Sequence, residues 1–340
     1  MKRKVILLIV LLLLLCGCSK KDSNSLNVLN WSSYIPDEII RDFEKESGIK
    51  VNYSTYSSNE ELLAKVSSAK EGTYDLIFPS DYMIEIMINR NILDEIDVSK
   101  LKNYSNLNKE YLGLPFDKEN KYSLPFLYAT VVVAVNTKYI KDNIESYNDL
   151  LNSKYKNDIV FIDDQRMVIG MALLANGYNM NSTNPKELKK AKEWLEKVKP
   201  NIKAYDSDCP KNFLITEEAN IGYIWDAEAK LARTENPNIK IIRPKEGIGM
   251  SLDNYAIPKG AKHKEEAYKF IDYILDSEVM YKIIEGYPYN SVNVGTDLLY
   301  GNEVFSSQFM EEEEKPENKY FVENIGSSIK DYDKIWAEIK

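Results

Sequence analysis

Residues 27–82, NVLNWSSYIPDEIIRDFEKESGIKVNYSTYSSNEELLAKVSSAKEGTYDLIFPSDY, decide the fold. Residues 27–29 read as a short strand. Residues 36–47 read as a helix. Pro36 suits its first turn, Asp37 and Glu38 favour its dipole, Ile39, Ile40 and Phe43 share one face, and Gly48 ends it. A second strand is expected at 49–53. Ser58 and Glu61 have capping-box spacing for a helix that turns Leu62, Leu63 and Val66 inward, and 74–78 is a third, buried strand stopped by Pro79. A βαβαβ order implies an α/β protein with a parallel sheet covered by helices on both faces.

The alternation continues along the chain. The most apolar strand is 131–135, followed by a strand at 159–162, helices near 167–175 and 185–198, and a strand at 221–225. A further strand at 254–258 precedes a helix over 264–275 that buries Ala267, Phe270, Ile271, Ile274 and Leu275. The run Glu311 to Glu314 reads as a solvated loop.

The chain begins MKRKVILLIVLLLLLCGC, with eleven consecutive apolar residues from Val5 to Leu15. At helical rise these fall short of the ~30 Å of a bilayer core, so they read as an export signal rather than a permanent span. The block resembles a bacterial lipoprotein signal. It implies cleavage after Gly17, a lipid on Cys18 and a tether over residues 18–25. About 320 residues then remain, more than one hydrophobic core usually organises, which predicts two lobes.

Composition narrows the function. Removing residues 1–17 leaves 41 Lys and Arg against 53 Asp and Glu, a net charge of −12. Such a surface argues against nucleic acid and is compatible with a cationic ligand. Cys209 is the one cysteine left after Cys18, so neither an intrachain disulfide nor a cysteine metal site is expected. His263 is the sole histidine and sits at the start of an amphipathic helix. Histidine-based acid–base, nucleophilic and metal catalysis lose their usual carrier, which argues for a binding protein without cofactor or bound metal rather than an enzyme.

Aromatic residues recur at strand ends beside small polar residues and carboxylates: Asn30 to Tyr34, Pro79 to Tyr82, and Trp225 to Glu228. With 24 Tyr and 4 Trp, a single such residue is ordinary packing. Three clusters at equivalent places in an open α/β sheet are expected to converge on one cleft. Aromatic faces suit a slender, partly apolar chain, and carboxylates among them suit ammonium groups.

These motifs, NWxxYIP at 30–36, the segment at 46–56, YDLxxPSxY at 74–82, NIGxIW at 220–225 and GYPxN at 286–290, resemble those of bacterial spermidine/putrescine-binding proteins, the extracytoplasmic receptors of polyamine ABC importers. The resemblance implies a type II periplasmic-binding-protein fold. One lobe would comprise 26–128 and 254–297, the other 129–253 and 298–340, each with a mostly parallel sheet and with ligand in the cleft. It also implies a monomer that hands its ligand to a membrane permease. By resemblance, Trp31, Ser32, Tyr34, Ser80 and Tyr82 line one side, Asp164, Ser207 and Trp225 the other, Asp253 lies near the crossing, and Tyr287 is a cleft aromatic.

Four positions depart from the family pattern: Ser33 and Met167 stand where acids are common, Ser251 where a second tryptophan is frequent, and Val322 near a glutamine of some members. Glu228, three residues beyond Trp225, is expected to supply a missing counter-charge, with Asp81, Asp163 and Asp226 as weaker candidates. Putrescine is favoured slightly over spermidine because fewer acids remain. Three alternatives stand beside this reading: a diverged receptor with another ligand, ferric-ion capture by Tyr287 and Tyr289, and a secreted hydrolase using paired carboxylates.

Overall fold

The computed structural model describes residues 24–300 and 319–340; the signal, Cys18 and the acidic run at 311–314 lie outside the described residues. β1 (Ser25–Trp31) pairs in parallel with β2 (Lys50–Tyr56) on one side and with β3 (Leu76–Ile77) on the other. β1 therefore takes in Ser25, which sequence assigned to the tether. α1 (Asp37–Ser47) links β1 to β2, burying Ile39 and Phe43, and Gly48 ends it at φ 68°, where a Cβ would be strained. α2 (Asn59–Ser68) is capped by Ser58, whose Oγ accepts from Glu61 N at 3.1 Å. The Glu61 carboxylate reaches back to Ser57 N at 2.8 Å, one residue beyond the expected capping box. α3 (Asp81–Asn89) leaves the sheet four residues after β3.

The middle of the molecule is antiparallel, unlike the parallel sheet predicted from the first segment. β4 (Ser123–Asn136) is longer than its apolar core suggested. Its residues 123–130 pair antiparallel with β9 (Ile248–Ala256), with an irregularity between Pro125 and Leu127 where proline supplies no N–H. Its residues 131–136 pair antiparallel with β7 (Ile221–Trp225) and β8 (Ile239–Ile242). Beyond β7 the sheet is parallel again, through β5 (Ile159–Phe161) and β6 (Ile202–Tyr205). The order is β2-β1-β3-β9-β4-β7-β5-β6. Two parallel α/β halves are thus joined through β4 and β9, and the divisions read at 128/129 and 253/254 fall inside these two strands.

Helices cover both halves. α4 (Gln165–Ala175) and α5 (Pro185–Val198) pack together on the second, with α11 (Ile329–Ile339) against both. The short α6 (Lys211–Ile215) packs on α7 (Asp226–Glu235). α8 (Lys264–Ile274) and α9 (Ser277–Gly286) return to the first half, where Phe270 meets Phe43 edge-on at 4.9 Å. β10 (Asn290–Ser291) pairs with β4, α10 (Val294–Tyr300) follows, and β11 (Lys319–Phe321) runs parallel to β9. One apolar cluster extends from Leu29, Tyr56 and Tyr82 in the first half to Val133, Phe161 and Tyr223 in the second, so the halves meet across the space between them.

Candidate functional site

The carboxyl ends of the parallel strands open on one cavity. Trp31 ends β1, Ser80 and Tyr82 follow β3, Asp164 follows β5, Ser207 follows β6, and Trp225 ends β7; all of them line it. Ser32, Tyr34 and Asp253 complete the nine sequence-predicted residues on its wall.

Asp253 is the most constrained of these. It lies within β9 and is 5% exposed. Ser80 Oγ donates to one carboxylate oxygen at 2.6 Å and Tyr34 Oη donates to the other. Burial pushes its pKa up to about 6, against the lowering effect of the Ser80, Tyr34 and Trp31 donors. Ser80 is itself fixed by Asn59, which accepts from Ser80 N at 3.1 Å and donates to Ser80 Oγ at 3.0 Å. Trp31 is held by Nε1 donating to Phe78 O at 3.1 Å and packs against Tyr56 with centroids 4.5 Å apart.

Asp164 stands at the far side as the N-cap of α4, with Oδ1 accepting from Met167 N at 2.9 Å. Burial raises its pKa, opposed by that bond and by Arg166. Arg166 is also buried and lines the cavity, its guanidinium lying between the Tyr82 and Tyr332 rings at 5.4 and 5.2 Å. Its Nη2 donates to Asn181 Oδ1 and Glu323 O at 3.0 and 2.9 Å, whereas Nε is buried without a hydrogen-bond partner among the described residues. Glu60, beside Tyr82, accepts from its hydroxyl at 3.2 Å and is raised by burial and then by Asp164.

Two sequence expectations need correction. Tyr287 faces a shallow outer depression with Pro36, Arg41 and Gly286, and Tyr289 lines the cavity instead, its ring 4.5 Å from that of Tyr34. Tyr289 N donates to Tyr287 O at 2.7 Å, so the chain turns tightly at Pro288 and the two tyrosines do not share a face. Glu228 is not on the cavity wall. It is buried on α7 and paired with Lys211 Nζ of α6, 2.9 Å from each carboxylate oxygen. The weaker candidates are likewise engaged or set back. Asp226 accepts from Thr130 N at 3.1 Å and Asn290 Nδ2 at 2.8 Å, and Asp163 pairs with Lys340 at 2.6 Å. Asp81 is buried away from the wall, its carboxyl held well above the usual range by desolvation.

Met167, Ser251 and Val322, three of the four departing positions, do face the cavity. Sequence reasoning missed Ser57, Asn59, Ala129 and Arg166, and named Tyr289 only as an iron ligand. Ser57 and Asn59 follow the end of β2, the same strand-end rule applied once more, and Arg166 stands two residues from Asp164. Among the described residues no group of three His, Cys, Asp or Glu side chains is arranged to hold a metal ion.

Two α/β halves that share their central strands and enclose an aromatic, carboxylate-bearing cavity at their strand ends define a solute receptor. The sequence model for bacterial extracellular solute-binding proteins matches residues 38–303, and the chain belongs to that family. It is 37% identical to the spermidine/putrescine-binding periplasmic protein of Salmonella typhimurium, over 94% of this chain and 92% of that one. A solved structure from Listeria monocytogenes superposes with a TM-score of 0.88 at 34% identity, covering 93% of this chain and 99% of the other. The spermidine/putrescine ABC transporter substrate-binding protein PotD of Streptococcus pneumoniae gives 0.78 at 30% identity, covering 93% and 98%. The fold is therefore the two-lobed type II arrangement. No described helix is long and apolar enough to cross a membrane.

Proposed function

We propose that the protein is the extracytoplasmic receptor of a polyamine importer: it takes a linear polyamine such as putrescine or spermidine into the cavity, closes on it, and delivers it unchanged to an ABC permease. The observation that carries this reading is Asp253, a carboxylate buried among aromatic rings with both oxygens already oriented by Tyr34 and Ser80. A buried anion with no cationic side chain bonded to it is costly, and an ammonium group offsets that cost. Trp31, Tyr34, Trp225 and Tyr289 would cover the methylene chain and add cation–π attraction. Asp164 would take a second ammonium, while Ser32, Ser80, Tyr82 and Ser207 supply hydroxyls along the path.

Residues 26–128 with 254–297 and residues 129–253 with 298–340 would move as the two lobes. Bending of β4 and β9 would open and close the cleft, because these strands carry the sheet from one half to the other. Cleavage after Gly17 and a lipid on Cys18 would hold the monomeric receptor at the membrane. A thermal-shift panel tests the reading, since a ligand at a thousandfold excess over Kd stabilises the native state by about 4 kcal/mol. Polyamines should raise the melting temperature and be recovered intact. Failure of every polyamine, with stabilisation by an amino acid, would refute it.

A further inference from the structure

We infer that the cavity is a diamine site, matched to putrescine or cadaverine and discriminating against spermidine and spermine. This deepens the polyamine reading and rests on it. The argument is the charge that the wall presents. Among the described residues the ionisable side chains lining the cavity are Asp253, Asp164 and Arg166, apart from tyrosines, and Glu60, exposed at the mouth, accepts from the Tyr82 hydroxyl. The wall thus presents two carboxylates, which two ammonium groups can pair, while Glu60 at the mouth lies in the field of Arg166 and offsets its charge.

Their placement matters as much as their number. Asp253 stands apart, bonded only to neutral donors, and one ammonium fits there. On the opposite side Asp164 and Glu60 lie in the field of Arg166, so that end presents one net negative charge to a second ammonium. A third ammonium would meet Met167, Val322 and Ala129, or the guanidinium itself, whose buried Nε–H asks for an acceptor and repels a cation. Three further buried acids do not fill the gap. Glu228 is neutralised by Lys211, Asp226 by Lys230 at 3.3 Å, and Asp81 is buried off the cavity wall, its carboxyl raised by desolvation. Asp206 and Asp208 lie off the wall in the open mouth, where Asp206 accepts from Asp208 N and Cys209 N, and exposed Asp208 accepts from Ser57 Oγ at 3.4 Å; charges open to solvent there are weakened by screening.

The test is titration calorimetry of the ligand-free protein with putrescine, cadaverine, spermidine and spermine at one ionic strength, repeated on Met167→Glu. The inference predicts that a diamine binds at least ~30-fold more tightly than spermidine, the effect of one unpaired ammonium in a desolvated site. Met167→Glu, which restores a carboxylate beside Asp164 and Arg166, should gain spermidine affinity by ~10-fold or more while its melt shows an intact fold. Spermidine binding within about threefold of putrescine in the unaltered protein would overturn the diamine inference and leave the polyamine reading standing. No gain of spermidine in a folded Met167→Glu would overturn the charge count as its cause. Binding of no amine at all would overturn the polyamine reading itself.

Discussion

Asp253→Asn should move stability and affinity in opposite directions. In the unliganded protein burial raises the Asp253 pKa from the ordinary 3.8 to about 6. The folded state therefore holds a proton that the unfolded chain releases, and stability falls as pH rises through this window, the full cost being present above about pH 6. A displacement of roughly two pH units corresponds to about 3 kcal/mol. Asparagine keeps the shape, can still accept from Ser80 or Tyr34, and carries no charge to desolvate. The variant should thus melt about 4 °C higher than the parent at neutral pH, a gap that closes as pH approaches 4. Diamine affinity should meanwhile fall by roughly 2–5 kcal/mol, because a buried ammonium loses its counter-charge. Differential scanning fluorimetry across pH and calorimetry on the same samples read both quantities. A variant that is less stable at neutral pH and binds within twofold of the parent would refute the reasoning.

Binding in the parent should weaken as pH falls through about 6, since the receptor then protonates Asp253, and Asp164 and Glu60, also raised by burial, follow in the same direction; titrations across pH would see a flat profile if these carboxylates stood outside the site. Glu228→Gln should lower the melting temperature by the equivalent of about 2 kcal/mol, because Lys211 is left without its buried partner, while calorimetry finds putrescine affinity little changed. Tyr289→Ala should reduce affinity by ~10-fold or more through loss of the cavity-lining ring packed at a tilt against Tyr34, and Tyr287→Ala should leave it unaltered. Trp225→Ala should cost a comparable amount by opening the wall where β7 ends, and an affinity equal to the parent's would remove Trp225 from the ligand path.

Local signals carried much of the architecture. The first βαβαβ unit was readable because each element ends on a residue with one physical use: Gly48 at φ 68°, Ser58 as a cap, Pro79 after a buried strand. The strand-end rule then brought Trp31, Ser80 and Trp225 to one cavity from three separate segments, and the family resemblance added Asp164. What escaped was non-local. The apolar run at 131–135 gives no hint that its strand extends back to Ser123, because those residues are held as strand by pairing with β9 and β10, 120 or more positions away. Glu228 had the right spacing from Trp225, yet Lys211 on another helix claims it. Tyr287 and Tyr289 are two apart, and only the turn at Pro288 decides which enters the cavity. Arg166 was overlooked because a cation has no evident purpose in a site sought by its acids; in the folded chain it offsets part of their charge.

Calorimetric titration of putrescine into the ligand-free protein at neutral pH tests the central claim most directly. The account predicts saturable binding at one site per chain, abolished or greatly weakened by Asp253→Asn, with the amine recovered chemically unchanged. Absence of heat and of any melt shift with putrescine, cadaverine and spermidine, together with binding of a carboxylate-bearing ligand, would contradict it.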